Sequence, residues 1–86
     1  MNWSEVRRKY PHTFVLIEAV SVYSKDNKRM IQEMSVVDEY KNTSDAWNAY
    51  KKLHREFPKR EFYIFHTSKE EIEVEEQQFI GVRGRI

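Results

Sequence analysis

Trp47-Asn48-Ala49-Tyr50-Lys51-Lys52-Leu53-His54-Arg55-Glu56-Phe57-Pro58, with Phe62-Tyr63-Ile64-Phe65 close behind, decides the fold because an earlier stretch has the same form. That stretch is Trp3-Ser4-Glu5-Val6-Arg7-Arg8-Lys9-Tyr10-Pro11, followed by Phe14-Val15-Leu16-Ile17. Each opens on Trp, runs through a basic amphipathic segment to an aromatic–Pro step, and ends in an apolar run. A second strand-like segment follows each. The pattern predicts two helix–strand–strand units, about 1–40 and 43–86, within a single domain spanning 1–86. The fold class expected is α+β in the order α-β-β-α-β-β. Two hairpins would form one four-stranded antiparallel sheet, with both helices on one face.

Local signals fill in the elements. Asn2 and Glu5 have capping-box spacing, and Trp3, Val6 and Tyr10 recur on one helical face. Pro11 and Pro58 close the two helices, since a residue before proline is pushed toward extended geometry. Phe14 to Tyr23 is rich in β-branched residues and apolar on both faces except at Glu18, which predicts a strand near the middle of a sheet or at a subunit contact. Asp26-Asn27 tolerates the left-handed geometry of a tight hairpin turn. The return strand, Met30 to Val37, is expected to turn Met30, Met34 and Val36 to one face. Ser44 is read as the cap of the second helix, with Trp47, Tyr50, Leu53 and Phe57 as its buried stripe. Glu61 to Thr67 is a third strand, and Ser68 with Glu71 suggests a helical turn after it. Ile72 and Val74 alternate with acidic residues as a fourth strand. That strand passes through a bulge at Glu76-Gln77-Gln78 and resumes at Phe79-Ile80-Gly81-Val82.

Composition narrows the function classes. The chain has 86 residues, of which 40% are hydrophobic and 34% charged, enough for one modest core. With no cysteine, neither a disulfide framework nor a thiolate metal site is available. No secretory signal or membrane-length apolar run is evident, so the reading is a cytoplasmic protein that does not engage a membrane. Residues 1–60 carry 12 basic and 8 acidic side chains, whereas residues 61–86 carry 3 and 6. Such a split suits a surface that orients a partner or another copy of the chain.

Chemistry-bearing motifs are few. There is no glycine-rich phosphate loop, and His12, His54 and His66 have no metal-ligand spacing, so no cofactor and no metal are expected. Phe65-His66-Thr67-Ser68 sets a histidine beside two hydroxyls without an orienting third group, and the chain is not read as an enzyme. Glu18 sits inside an apolar run, where an unpaired buried carboxylate would be costly. Its candidate partners are His66, Arg83 and Arg85, and together these form a candidate polar cluster for an anion or a peptide group. Arg7, Arg8, Lys51, Lys52 and Arg55 form a candidate basic surface, with Lys9, Lys59 and Arg60 nearby. The acidic fourth strand opposes nucleic acid lying across the sheet.

Several stretches, taken together, resemble a family of small bacterial proteins. They are Trp3 with Tyr10-Pro11, Val15-Leu16-Ile17-Glu18-Ala19, Leu53-His54-Arg55-Glu56-Phe57-Pro58, Phe62 to Ser68, and the Ile80-Gly81-Val82-Arg83-Gly84 tail. The resemblance spans nearly the whole chain. It implies an accessory or partner protein and brings no established activity or site residues with it. The function expected is a non-catalytic interaction domain that binds a protein partner or itself, in the latter case as a homodimer. The alternative is a nucleic-acid-binding protein that uses the basic helix faces.

Overall fold

The computed structural model describes residues 1–72, 74 and 75. Its elements are α1 (Trp3–Lys9), β1 (Phe14–Lys25), β2 (Lys28–Tyr40), α2 (Thr43–Glu56), β3 (Phe62–His66) and β4 (Val74–Glu75). Helix α1 has the expected reciprocal capping box. The Asn2 side chain accepts from the Glu5 N–H, and the Glu5 carboxylate accepts from the Asn2 N–H, both at 2.9 Å. Asn42, rather than Ser44, caps α2 by accepting from the Asp45 N–H at 2.9 Å. An Asn two residues earlier in the chain takes the same role.

The repeated aromatic–Pro step has the same geometry both times. Tyr10 lies at φ −126°, ψ 73°, and Phe57 at φ −131°, ψ 70°. The cap N–H reaches the Val6 carbonyl in one case and the Leu53 carbonyl in the other. Here the internal repeat is structural. It ends at the strands that follow.

β1 and β2 form a long antiparallel hairpin from Phe14↔Tyr40 to Lys25↔Lys28. Its turn residues Asp26 and Asn27 are both left-handed, at φ 53° and 62°. β3 does not form a second hairpin with β4. It pairs antiparallel with β1, from Phe14↔His66 to Glu18↔Phe62. The order of elements that build the sheet is α-β-β-α-β, and the sheet proper is three-stranded, β2-β1-β3. β4 adds a two-residue bridge on the far side of β2, opposite Arg29 and Lys28, which gives the order β3-β1-β2-β4. The expected four-stranded sheet of two adjacent hairpins is therefore corrected. β1 is apolar on both faces and takes a strand on each side, so β3 joins it rather than the acidic segment. The expected resumption at Phe79 to Val82 and the bulge at Glu76 to Gln78 lie outside the described residues.

The helices also lie on opposite faces, not on one. Side chains alternate along a strand. Val15, Ile17, Tyr63 and Phe65 pack with Trp3 and Val6 of α1, together with Met34, Ile31 and Val36. The alternate set on β3, Phe62 and Ile64, faces α2 and lines a groove together with Trp47 and Tyr50. Leu16 shares that side, and both Leu16 and Ala46 of α2 are fully buried. Register shifts explain two exposed valines. Val37 and Val20 are the extra residues between Leu16/Ile17 and between Ala19/Ser21, and they are 44% and 61% exposed. A third shift, at Gln32, turns Ile31 rather than Met30 to the α1 core.

After β3 the chain makes turns at Thr67 and Ser68 instead of the expected helical turn. Trp3 Nε1 donates to the Lys69 carbonyl and Arg7 Nε to the Thr67 carbonyl, both at 2.9 Å. Thr67, nearly fully buried, is satisfied by the Thr13 N–H at its hydroxyl and by donating its own N–H to the Thr13 carbonyl.

Candidate functional site

Two polar clusters sit at the start of β3, one on each face of the sheet. Glu18 is bound by the Arg60 guanidinium, with Nε donating to Oε2 at 2.7 Å and Nη2 to the other oxygen. That bond holds the Glu18 carboxyl below its usual range. Arg60 also lies over the rings of Phe57 and Phe62. On the opposite face, Arg29 donates to both Glu61 oxygens, at 2.6 and 2.8 Å, and the Tyr63 hydroxyl donates to the same carboxylate at 2.5 Å. The Arg29 bond lowers the Glu61 carboxyl. Burial, then Glu61, pushes the Tyr63 phenol up to about 12. Both carboxylates near β3 are thus committed to arginines.

The structure does not bring Glu18 and His66 together. Glu18 stands opposite Phe62 and His66 opposite Phe14, at the two ends of the β1/β3 pairing. His66 Nδ1 accepts from the Ser68 N–H at 3.1 Å, with the Ser68 hydroxyl 2.8 Å away, and its ring meets Phe14 edge-on. No carboxylate bonds this imidazole among the described residues. Arg83 and Arg85 lie outside the described residues. The candidate basic surface is divided. Arg7 and Arg8 are on α1 and border a notch of about 350 Å³ with Ser4, Pro11, His12, Thr67 and Ser68. Lys51, Lys52 and Arg55 are exposed on α2, across the sheet.

The feature that sequence reading missed lies between α2 and β3. A groove of about 730 Å³ is lined by Thr43, Ser44, Trp47, Tyr50, Phe62, Tyr63 and Ile64. Trp47, expected in the core, is 52% exposed. Its ring stacks on Tyr50 at 5.1 Å, and Tyr50 stacks on His54 at 5.7 Å. The ladder follows from spacing, because positions three and four apart share one side of a helix. Trp47 is displaced to that flank because Ala46 takes the position nearest the sheet.

Beside the groove runs an open strand edge. Thr67 donates to Thr13, and Ala19 donates to Glu61, bracketing the β1/β3 ladder. Odd-numbered residues of β3 therefore turn their backbone groups toward β1, while Phe62, Ile64 and His66 turn theirs outward. Among the described residues, the Phe62, Ile64 and His66 N–H groups and the Phe62 and Ile64 carbonyls have no partner. β3 has no charged residue, proline or bulge to guard that edge. The outer edge of β2 differs. Met1 and Met34 exchange backbone bonds there at 2.8 and 2.9 Å, β4 pairs at Arg29 and Lys28, and register shifts and charged residues break the rest.

No protein-family model, curated protein or solved structure matches the chain.

Proposed function

We propose that this is a non-catalytic interaction domain that binds an extended segment of a protein partner along β3. The observation that carries the reading is the coincidence of an unguarded edge strand with an aromatic groove at its side. An added strand would bond to the outward groups of Phe62, Ile64 and His66. Its alternate side chains would enter the groove beside Trp47 and Tyr50. Backbone bonds supply affinity in such strand addition, and the side-chain pockets supply selectivity. Self-pairing through the same edge is less favourable. A two-fold axis normal to the sheet would set α2 beside its own copy, opposing Lys51 and His54 to their equivalents. Nucleic-acid binding draws on the same cations, but those cations are divided between helices on opposite faces of the sheet.

The test is selection of displayed random peptides on the immobilised domain, followed by amide NMR titration with the selected sequences. The expected result is shifts centred on residues 43–54 and 62–66, lost in Trp47→Ala. Selected peptides that shift only residues elsewhere would overturn the reading.

A further inference from the structure

We infer that the notch between α1 and the turn after β3 is an oxyanion site that accepts a phosphate monoester. This goes beyond the edge-binding reading and uses none of the groove residues. The notch, of about 350 Å³, is lined by Arg7, Arg8 and His12, and no carboxylate is among its lining residues. Ligand pockets span about 300–1,000 Å³, so there is room for a phosphoryl group and part of what carries it. Ser4, Thr67 and Ser68 add hydroxyls to the wall. Arg29 and Arg60 each hold a carboxylate elsewhere in the fold, whereas Arg7 and Arg8 have none among the described residues.

Bonds within the fold hold this wall in place. Arg7 is half-buried, with its Nε fixed on the Thr67 carbonyl at 2.9 Å. Its terminal guanidinium nitrogens have no partner among the described residues. Thr67 is 3% exposed. Its N–H donates to the Thr13 carbonyl, and its Oγ1 accepts from the Thr13 N–H. The hydrogen of that hydroxyl alone has no acceptor among the described residues, and a buried donor requires one. The turn is pinned further by Trp3 Nε1 on the Lys69 carbonyl and the Lys69 N–H on the His66 carbonyl. Ser68 is engaged with His66, which leaves Ser4 as the freer hydroxyl. His12 sits at φ 52°, a left-handed backbone uncommon for a residue with a Cβ.

A wall of donors without a carboxylate selects an acceptor-rich anion. A guanidinium fork meets phosphate oxygens two at a time, and such charge-assisted bonds are the strong ones. The cations Lys51, Lys52 and Arg55 are on α2, across the sheet, so they do not extend the notch into a track for a nucleic-acid backbone.

The probes are inorganic phosphate, a phosphoserine peptide, adenosine 5′-monophosphate and acetate. Each is titrated into the full chain, labelled for amide NMR, at a constant ionic strength of about 0.1 M. Phosphate and both monoesters should give saturable shifts centred on residues 4–12 and 66–69 and leave residues 47–54 unmoved. Arg8 is exposed and makes no bond within the fold among the described residues, so Arg8→Gln should keep the amide spectrum of the parent. It should weaken phosphate binding about tenfold, the loss for one hydrogen bond to a charged group. His12→Gly should weaken binding about threefold and keep or raise the urea midpoint, since glycine adopts the left-handed backbone freely. Acetate matching phosphate, or shifts that never saturate, would overturn the site. Unchanged phosphate affinity in Arg8→Gln would overturn it too. Either order of the phosphopeptide and the nucleotide supports the site, and the tighter of the two names the carrier. An oligonucleotide without a terminal phosphate that displaces both at lower concentration would overturn the monoester in favour of a nucleic-acid backbone.

Discussion

Trp3 and Trp47 occupy the same place in the repeated sequence and opposite places in the molecule. Trp3 is 8% exposed, meets Phe65 edge-on and donates to Lys69, so it joins α1, β3 and the following turn. Trp3→Ala should cost about 3–5 kcal/mol in urea unfolding, the range for removing a buried large aromatic. Trp47→Ala should cost about 1 kcal/mol or less, because it forfeits only a half-exposed stack on Tyr50. Nothing in the two helix sequences distinguishes these residues. The difference is set by Ala46, a small residue that carries little weight in a hydrophobic stripe but permits close approach to the sheet. Glu18 was legible as a residue that needed a partner. The identity of that partner, Arg60, was not, because the two are 42 positions apart and meet only through the β1/β3 pairing.

The acidic and alkaline limits of stability belong to the same scale. Glu61 and Glu18 have folded pKa values below their unfolded ones, so their contribution is present above about 4.5 and is lost as pH falls through the lowered values. Tyr63 runs the other way. Its contribution is present below 10 and is lost as pH rises toward about 12. Urea midpoints measured across pH should therefore fall at both ends. Glu61→Gln should flatten the acid limb, and Tyr63→Phe the alkaline one; unchanged limbs would mean these groups titrate alike in both states.

Among the elements, helices and turns were the most legible, because their signals are local. The Asn2 capping box, the proline stops and the Asp26-Asn27 turn each depend on residues a few positions apart, and each forms. Faces were harder. A single extra residue reverses strand alternation, so the shifts at Val37, Val20 and Gln32 moved Ile31 inward and left two valines exposed. At α2 the close approach through Ala46 is testable. Ala46→Leu should destabilise by about 1–3 kcal/mol through overpacking, more than deleting the neighbouring Trp47 indole. Urea midpoints of the two variants give the comparison, and the reverse ranking would place Trp47 in the core after all.

Over the whole molecule, the two sheet edges are treated differently. β2 is bordered by Met1 and β4, whereas β3 is bare and uncharged beside the Trp47 groove. Pairing β3 with its own copy would confront the basic α2 helices, so the free domain should run as a single 10.5 kDa chain in size-exclusion chromatography with light scattering. A mass that doubles with concentration and resists salt would instead indicate pairing of the apolar edges. Among the described residues, no helix is long and apolar enough to cross a membrane.

The sequence by itself determined the α+β composition, the positions of both helices, the central placement of β1 and the tight hairpin after it. These follow from periodicity, capping, proline and turn chemistry, all of which act over a few residues. Only the tertiary structure decided that β3 adds to β1, that the helices cover opposite faces, and that Trp47 flanks a groove instead of filling a core. Those outcomes depend on which strand edge wins a long-range pairing, and that is a competition among backbone groups that are chemically alike at every position.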